Sequence, residues 1–190
     1  MSASVHMWPF PKEAKLSDGT GVTLRPMVPG DEEAVLAFFR TVPADDRYYL
    51  KDNVASAEVI RNWAKAIDYN RVLPLLALKD GKVITDGSLH FWQGARRHQA
   101  EVRISVDPGY RNRGLGRTIM RELIRVARER GLRRLLMEVV PAREEAAVRV
   151  TGLLGFMPMV VLPDYAIDKS GLLALDLIVM VLDLEEADTY

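Results

Sequence analysis

The sequence predicts an α/β fold in which a central mixed, mostly antiparallel sheet is flanked by about four helices. Three observations support this prediction. Apolar residues alternate with a period of two over three consecutive segments in the first half of the chain. After Asp107 the period changes to about 3.6, the period of a helix. A short, nearly continuous apolar segment then follows at 135–140, as is typical of a buried strand.

The chain is expected to form one folded domain preceded by an arm. Residues 1–21 are rich in Pro, Lys, Ser and Gly, which predicts a loosely packed N-terminal arm. Residues 22–190 contain no internal repeat, low-complexity tract or break in composition, so we treat them as one domain. The chain is 48% hydrophobic and 27% charged, which is typical of soluble proteins that build their own core.

The first half of the domain is predicted to hold two helices and four strands. A strand over residues 22–25 leads to a helix that opens at Asp31, where acidic residues suit the positive end of the helix dipole. This helix ends near Pro43, and Ser56 is expected to cap a second helix. An antiparallel meander follows, with strands predicted over 72–78, 83–92 and 100–106.

The second half is predicted to return to the sheet by a parallel crossover. A helix begins at Leu115 and is ended by Gly131, and the apolar segment 135–140 supplies the next strand. A helix over 143–154 comes next. The chain closes with two strands, 157–167 and 172–184, joined by a hairpin turn at 168–171.

Charge and composition exclude several function classes. Lys plus Arg equals Asp plus Glu at 26 each, so nothing in the overall balance indicates a nucleic-acid or anionic-membrane partner. The chain has no cysteine, which rules out disulfides, thiolate metal ligands and cysteine nucleophiles, and no metal site is predicted. The N-terminus lacks the pattern of a signal peptide, and the apolar stretch 172–184 is too short and too charged to span a membrane. We expect a soluble, cytoplasmic protein.

The turn between Pro108 and the helix at Leu115 is the segment with the clearest chemistry. Gly114 and Gly116 let the backbone approach a ligand, and a helix N-terminus offers unpaired N–H groups and partial positive charge. The turn therefore suits a phosphate or pyrophosphate, although two glycines could equally relax a tight strand-to-helix turn. A Rossmann fingerprint would need a third glycine and a preceding parallel strand, and residues 117–122 contain no glycine and follow a predicted meander. A P-loop would need Gly-Lys-Ser/Thr, which is absent.

With this context, the chain resembles a known family. Residues 102–116 look like the acyl-CoA-binding segment of GNAT acyltransferases, whose signature is Arg or Gln, two residues, Gly, one residue, then Gly or Ala. Arg111, Gly114 and Gly116 fill that signature. The similarity continues through the strand 136–139 and the helix ending Leu154-Gly155-Phe156, and it covers most of the chain.

The resemblance implies where the acyl donor, acetyl-CoA, would bind. The donor would lie as an extra strand edge between two splayed strands, beside the backbone of Ile104, Ser105 and Val106. Glu144 occupies a position where the family commonly has an asparagine that contacts the donor. The pyrophosphate of coenzyme A would be held by the backbone amides of the turn, which are those of Arg111, Asn112, Arg113, Gly114, Leu115, Gly116 and Arg117.

Two glutamates are candidates for the base that amine acylation requires. Alternation on the strand places Glu101, Arg103 and Ser105 on one face, and Glu101 lies where family members often carry a glutamate that deprotonates the amine. An ion pair with Arg103 is the competing interpretation. Glu138 interrupts an apolar strand, so it must find a partner or line a cleft. His90 is a third and weaker candidate.

The acid that protonates the departing thiolate is less clear. Many family members use a tyrosine at the position of Thr151, and the hydroxyl of threonine is a far weaker acid than the phenol of tyrosine. Water or another tyrosine would have to take this role. Tyr165 is the tyrosine we carry forward, with Tyr48 and Tyr49 as further candidates.

The sequence thus predicts an N-acetyltransferase that moves an acetyl group from acetyl-CoA to an amine of a small molecule or a protein. The alternative, motivated by Thr151, is a non-catalytic acyl-CoA sensor, and a third interpretation is a site for some other phosphate ligand. The acceptor is expected to contact residues 45–49 and 163–169, whose acids could attract a cationic amine. Whether the chain is a monomer or a homodimer stays open.

Overall fold

A computed structural model describes residues 9–185 of the chain. The helices are α1 Glu32–Thr41, α2 Ala44–Tyr48, α3 Ala57–Lys65, α4 Leu115–Glu129 and α5 Glu145–Leu153. The strands are β1 Lys12–Lys15, β2 Gly21–Pro26, β3 Val72–Lys79, β4 Lys82–Phe91, β5 Gln99–Val106, β6 Arg134–Val139, β7 Met157–Ile167 and β8 Ala174–Asp183. The predicted α/β fold with a mixed, mostly antiparallel sheet is confirmed.

All eight strands belong to one sheet, in the order β1-β2-β3-β4-β5-β6-β8-β7. Every neighbouring pair is antiparallel except β5 and β6, which are parallel and are connected through α4. The predicted crossover is therefore present. Its parallel pair lies in the middle of the sheet, where ligands of such folds have access to strand ends from both halves.

The helices cover the two faces of the sheet unequally. One core lies under α1 and α3 and includes Phe38, Phe39 and Ile60. A larger core lies under α4 and α5 on the opposite face. Helix α4 packs closely against β4 because Gly87 has no side chain, and a Cβ at that position would overlap the Cγ2 atom of Ile119. This contact fixes where the N-terminus of α4 meets the ends of β4 and β5.

The structure differs from the sequence prediction in three elements. Residues 12–15, within the predicted arm, pair with β2 as an edge strand, and residues 1–8 of that arm lie outside the described residues. The polar, aromatic stretch after Pro43 contains the short helix α2. Strand β6 is not buried on both faces, because Glu138 is exposed on the side away from α4. Within residues 9–185, no helix is long and apolar enough to cross a bilayer.

Candidate active site

Strands β5 and β6 separate after a short paired region. Pairing joins Gln99 to Arg134, Ala100 to Leu135 and Glu101 to Leu136, and ends there in the described chain. Beyond this point β5 continues to Val106 beside β4 alone, and β6 continues beside β8 alone. The backbone of β5 over residues 102–106 therefore has a free edge that faces a gap. An extended ligand could pair with this edge as a further strand would.

A small cavity of about 80 Å³ lies in this gap. Its polar lining consists of Tyr49, Lys51, Glu101, Arg103, Glu138 and Glu144. A larger cavity of about 470 Å³ lies elsewhere, at the start of β6 and β7, where Leu154, Met157 and Leu182 form part of the wall. We assign the site to the smaller cavity, because it adjoins the parted strands and is lined by both predicted base candidates, Glu101 and Glu138.

The turn that follows β5 presents backbone amides at the end of the gap. Asn112 and Gly114 adopt positive φ values of 59° and 82°, which bend the chain into the N-terminus of α4. The first intrahelical bond runs from the Thr118 amide to the Gly114 carbonyl at 3.0 Å. The amides of residues 115–117 precede that bond, so they are the ones an anion at this helix end can use.

Side chains hold the turn in place from two directions. The Ser17 amide donates to the Arg113 carbonyl at 3.0 Å, and the Arg113 guanidinium pairs with Asp18 at 3.3 Å. On the other side, the Arg111 guanidinium pairs with Asp46 of α2 at 2.6 Å. Both arginines are thus paired with protein carboxylates.

Gly116 lies where the turn meets the end of the free edge of β5. A Cβ at this position would lie 3.9 Å from the side chains of both Ile104 and Val106. The turn is therefore in contact with the end of the free edge of β5. The structure brings together the residues that the sequence predicted for the donor, from Ile104 through Arg117.

Lys51, in the loop between α2 and α3, joins the two predicted base candidates. Its Nζ atom lies 2.8 Å from Glu101 Oε1 and 2.7 Å from Glu138 Oε2. Since Glu101 is on β5 and Glu138 is on β6, one ammonium group bridges the gap where the strands part. Both glutamates therefore line the site, and Glu138 has the partner that its position in an apolar strand requires.

Glu101 is the more enclosed of the two carboxylates, with 8% of the residue exposed. Arg103 donates to it from Nε at 2.9 Å and from Nη2 at 3.1 Å. Burial alone would raise the pKa of Glu101, but the hydrogen bonds from Arg103 and Lys51 outweigh it and lower the pKa. Glu101 is therefore ionised at neutral pH. The ion pair with Arg103 that the sequence suggested as the competing interpretation is present.

A polar stripe extends from Glu101 onto β4. The register opposes His90 to Glu101, Ser88 to Arg103 and Asp86 to Ser105. Burial, with the nearby Arg103 charge, lowers the pKa of His90 to about 4, and its Nε2 atom lies 3.0 Å from Ser88 Oγ. His90 is consequently neutral near pH 7.

Asp86 ends this stripe in a half-buried position. Its Oδ1 atom is enclosed and has no hydrogen-bond partner among residues 9–185. Burial raises the pKa of Asp86 to about 7. Its signal in the sequence is the one that identified Glu138, an acid within an apolar strand, but neither Asp86 nor Lys51 was among the predicted site residues.

The residues considered as proton donors are widely separated. Thr151 is buried, and its Oγ1 atom donates within α5 to the carbonyls of Ala147 and Val148, at 2.8 and 3.0 Å. Tyr165 lies on β7 with 64% of the residue exposed and does not line the cavity. Tyr49 does line it. The role of Tyr165 stays a prediction.

Glu144 closes the cavity at the start of α5. Its Oε2 atom accepts a hydrogen bond from the Val140 amide at 2.6 Å. Burial raises the pKa of Glu144 in spite of that bond. The carboxyl group is therefore fixed at the end of β6, beside the gap where the sequence placed a donor contact.

Asp45 and Asp168, two of the loop acids predicted to attract a cationic acceptor, have partners within the chain. Asp45 pairs with Lys169 at 3.0 Å, which ties α2 to the β7–β8 hairpin. Asp168 accepts hydrogen bonds from the Ser170 hydroxyl and from the amides of Leu172 and Leu173 in its own turn. The carboxylates nearest the gap are instead those of Glu101 and Glu138.

Comparison with known proteins identifies the class of this site. The model of the Acetyltransferase (GNAT) family matches residues 36–156. The chain is also 27% identical over 124 residues to Acetyltransferase PA5475 of Pseudomonas aeruginosa, a match that covers 63% of this chain and 67% of that protein. The family match spans more than half of the chain. The chain therefore belongs to the GNAT acetyltransferase family, and its class of activity is N-acetyl transfer.

Solved structures show the same fold. The GNAT domain of S. lividans PAT has a TM-score of 0.74 at 22% identity, covering 90% of this chain and 96% of that one. The protein yncA of Salmonella typhimurium, solved with its cofactor acetyl-CoA, has a TM-score of 0.72 at 22% identity, covering 88% and 96%. Ribosomal-protein-alanine N-acetyltransferase of Brucella melitensis has a TM-score of 0.71 at 23% identity, covering 84% and 98%.

Proposed function

We propose that this protein transfers the acetyl group of acetyl-CoA to a primary amine of a small molecule or a protein, with Glu101 as the base that acts directly or through water. The observation that carries the proposal is the separation of β5 and β6 immediately after Glu101. It places a free strand edge, a helix N-terminal turn and a buried carboxylate around one gap. The solved relative yncA, which holds acetyl-CoA, supports the same donor here.

The chain offers a separate group for each part of the donor. The amides at the start of α4 suit the pyrophosphate, because they carry unpaired N–H groups and the positive end of the helix dipole. The free edge of β5 over residues 102–106 suits the amide groups of the pantetheine arm, which can pair with it as a strand does. Gly116 leaves room where the turn and this edge meet.

Glu101 is suited to the acceptor side of the reaction. An alkylamine has a reference pKa of about 10.4, so it must lose a proton before it can attack a thioester. Glu101 is ionised at neutral pH and can accept that proton. Its contacts with Arg103 and Lys51 fix the carboxylate at the point where β5 leaves β6.

Binding and turnover test the proposal in two stages. Calorimetry with coenzyme A should give a measurable heat, and thiol release from acetyl-CoA should follow when a panel of primary amines is supplied. Because the chain has no cysteine, a thiol reagent detects the released coenzyme A without background from the protein. Absence of binding heat and of any thermal shift at millimolar coenzyme A would exclude the proposal.

A non-catalytic acyl-CoA sensor is the second candidate function. The observation that favours it is Thr151, whose hydroxyl donates to helix carbonyls and leaves the usual proton-donor position without an acid. A sensor would bind acetyl-CoA and release no thiol with any amine, whereas an enzyme would release thiol with at least one amine of the panel.

A further inference from the structure

The departing thiolate has no assigned partner in the proposed reaction. Thr151 is 1% exposed and its hydroxyl proton lies in hydrogen bonds to backbone carbonyls of α5. Tyr165 is on the exposed side of β7, away from the cavity between β5 and β6. A protein group that stabilises the negative charge on sulfur is therefore expected in the lining of that cavity.

The carboxyl groups of the lining increase the need for a cation beside the thiolate. Carboxyl groups of Glu101, Glu138 and Glu144 line the cavity, together with the cations of Lys51 and Arg103. A thiolate released among these carboxyl groups would be repelled unless a cation faced it. Such interactions are stronger in a partly enclosed site than in water.

The two cations of the lining differ in how their nitrogen atoms contact carboxylates. The Arg103 guanidinium contacts Glu101 through Nε and Nη2 and Asp52 through Nη1, so its three nitrogens all face carboxylates. The Lys51 ammonium contacts Glu101 and Glu138 and has three N–H donors, of which these contacts use two. Its side chain is 40% exposed and bridges the gap itself.

We propose that the Lys51 ammonium is a catalytic group that faces the sulfur of coenzyme A and stabilises the thiolate as it departs. This inference rests on the proposed acetyl transfer. The amine nitrogen bonds to the acetyl carbon, the carbon–sulfur bond breaks, and its electron pair remains on sulfur beside Lys51. The ammonium form of the substrate loses one proton through Glu101 to water before the attack. A second proton leaves the nitrogen as the amide forms, and Glu101 takes it and then gives it to the thiolate or to water.

Stabilisation by a cation removes the need for a tyrosine. A thiol has a reference pKa of about 8.5, and a neighbouring opposite charge lowers an acid's pKa by about 1–3 units. Burial would lower the pKa of Lys51, but its bonds to Glu101 and Glu138 outweigh burial and raise the pKa, which keeps the amine charged. The titratable and charged groups around Lys51 are Tyr49, Asp52, His90, Glu101, Arg103, Glu138 and Glu144.

The thiol of bound coenzyme A reports on this contact directly. The protein has no cysteine, so the ultraviolet absorbance of thiolate in the complex belongs to coenzyme A alone. In the complex with the natural chain, the thiol pKa should lie about one unit or more below that of free coenzyme A. Lys51→Met should raise it by about one unit, a tenfold change in the thiolate ratio, and Lys51→Arg should keep most of the lowering.

A matched variant and a kinetic measurement complete the test. Lys65→Met removes an exposed lysine of α3 and should leave the thiol pKa unchanged. Lys51→Met should lower kcat at least about tenfold with little change in the affinity for acetyl-CoA, since Lys51 lies away from the turn. Lys51→Gln, which keeps a polar side chain, replaces Lys51→Met if the latter fails to fold.

Different outcomes separate this inference from the function on which it rests. If coenzyme A bound to Lys51→Met has the same thiol pKa as coenzyme A bound to the natural chain, Lys51 has only a positioning role and the inference is wrong, while acetyl transfer stands. If Tyr49→Phe raises the thiol pKa and the Lys51 variants do not, a tyrosine fills the role instead. If the natural chain does not bind coenzyme A, the proposed function and this inference are both wrong.

Discussion

The donor turn and the base network are built in different ways. The turn is one continuous segment, residues 108–117, and the groups proposed to bind the donor are backbone amides that any sequence of the right conformation can present. The base network consists of side chains from three separate elements, Lys51 in the α2–α3 loop, Glu101 on β5 and Glu138 on β6. The turn should therefore govern affinity for the donor, and the network should govern the rate.

Glu101→Gln should give the largest single effect, a fall in kcat of about 100-fold, because positioned bases contribute about 10²–10⁴-fold. The affinity for acetyl-CoA should change less than about twofold in direct binding. The pKa of Glu101 is lowered, so the natural enzyme should lose activity only as pH falls below the ordinary glutamate range. The variant should lack this acidic limb in its pH–rate profile.

Glu145→Gln serves as the control, since Glu145 is 83% exposed at the start of α5 and pairs only with Arg149 in the described chain. Its kinetics should match those of the natural chain. An unaltered pH–rate profile in Glu101→Gln would remove Glu101 from the role of base and leave Glu138 and His90 as the remaining candidates from the sequence.

Asp86→Asn should give the second effect, which is on the free energy of unfolding. It bears on the comparison of the turn with the base network because Asp86 extends the polar stripe that begins at Glu101. Its folded pKa of about 7 lies above the ordinary value of 3.8, so the folded state holds the proton more tightly than the unfolded state. The stability contribution of Asp86 is thus fully present below about pH 4 and is lost as pH rises to about 7. A rise of about three pKa units corresponds to about 4 kcal/mol, so the variant should be more stable by up to that amount at about pH 8 and similar at about pH 4.

Urea unfolding at both pH values measures this difference. His90 titrates in the opposite sense, because its lowered pKa removes stability as pH falls from about 6.5 to about 4, so only the difference between variant and natural chain is informative. Asp45→Asn removes an exposed carboxylate and should shift stability by less than about 1 kcal/mol at either pH. Equal free energies of unfolding for Asp86→Asn and the natural chain at both pH values would show that ionisation of Asp86 does not destabilise the folded state.

The same contrast explains what the sequence could predict. The turn, the crossover and most strand bounds follow from local patterns, since Gly114, Gly116 and the change of period lie within one short window. The contact of Lys51 with Glu101 and Glu138 joins residues that are 50 and 87 positions apart, and no local pattern encodes it. Strand β1 was missed because its four residues, Lys-Glu-Ala-Lys, alternate between half-buried and exposed positions at a sheet edge and carry little apolar signal.

Gly114→Ala should weaken acetyl-CoA binding about tenfold and leave kcat at saturating donor nearly unchanged. Gly114 has a φ of 82° at the N-terminus of α4, and an added Cβ would lie 3.3 Å from Ser17 Oγ. A non-glycine residue in this conformation costs about 1–2 kcal/mol, so the turn should relax and misplace its amides. Calorimetry measures the affinity.

Gly131→Ala is the matched control for the turn, because Gly131 also has a positive φ, 69°, with nothing near its Cβ position. It should carry a similar stability cost at the far end of α4 without loss of donor affinity. Equal donor affinities in the Gly114 and Gly131 variants would contradict the role of the turn as the anion site.

Glu138→Gln should give the smallest effect, about threefold in kcat/KM, and it is the variant that can overturn the division of roles within the network. The Glu138 side chain is 37% exposed, and Lys51 is its partner in the described chain, so solvent screens much of this interaction. Loss of the charge should leave Lys51 paired with Glu101 without removing the base.

If Glu138→Gln instead lowers kcat as far as Glu101→Gln is expected to, and abolishes the acidic limb, then Glu138 is the base and Glu101 anchors Arg103 and Lys51. Steady-state kinetics of both variants over the same pH range decide between these assignments, because loss of the base abolishes the acidic limb of the profile, whereas loss of an anchor lowers kcat and leaves that limb in place.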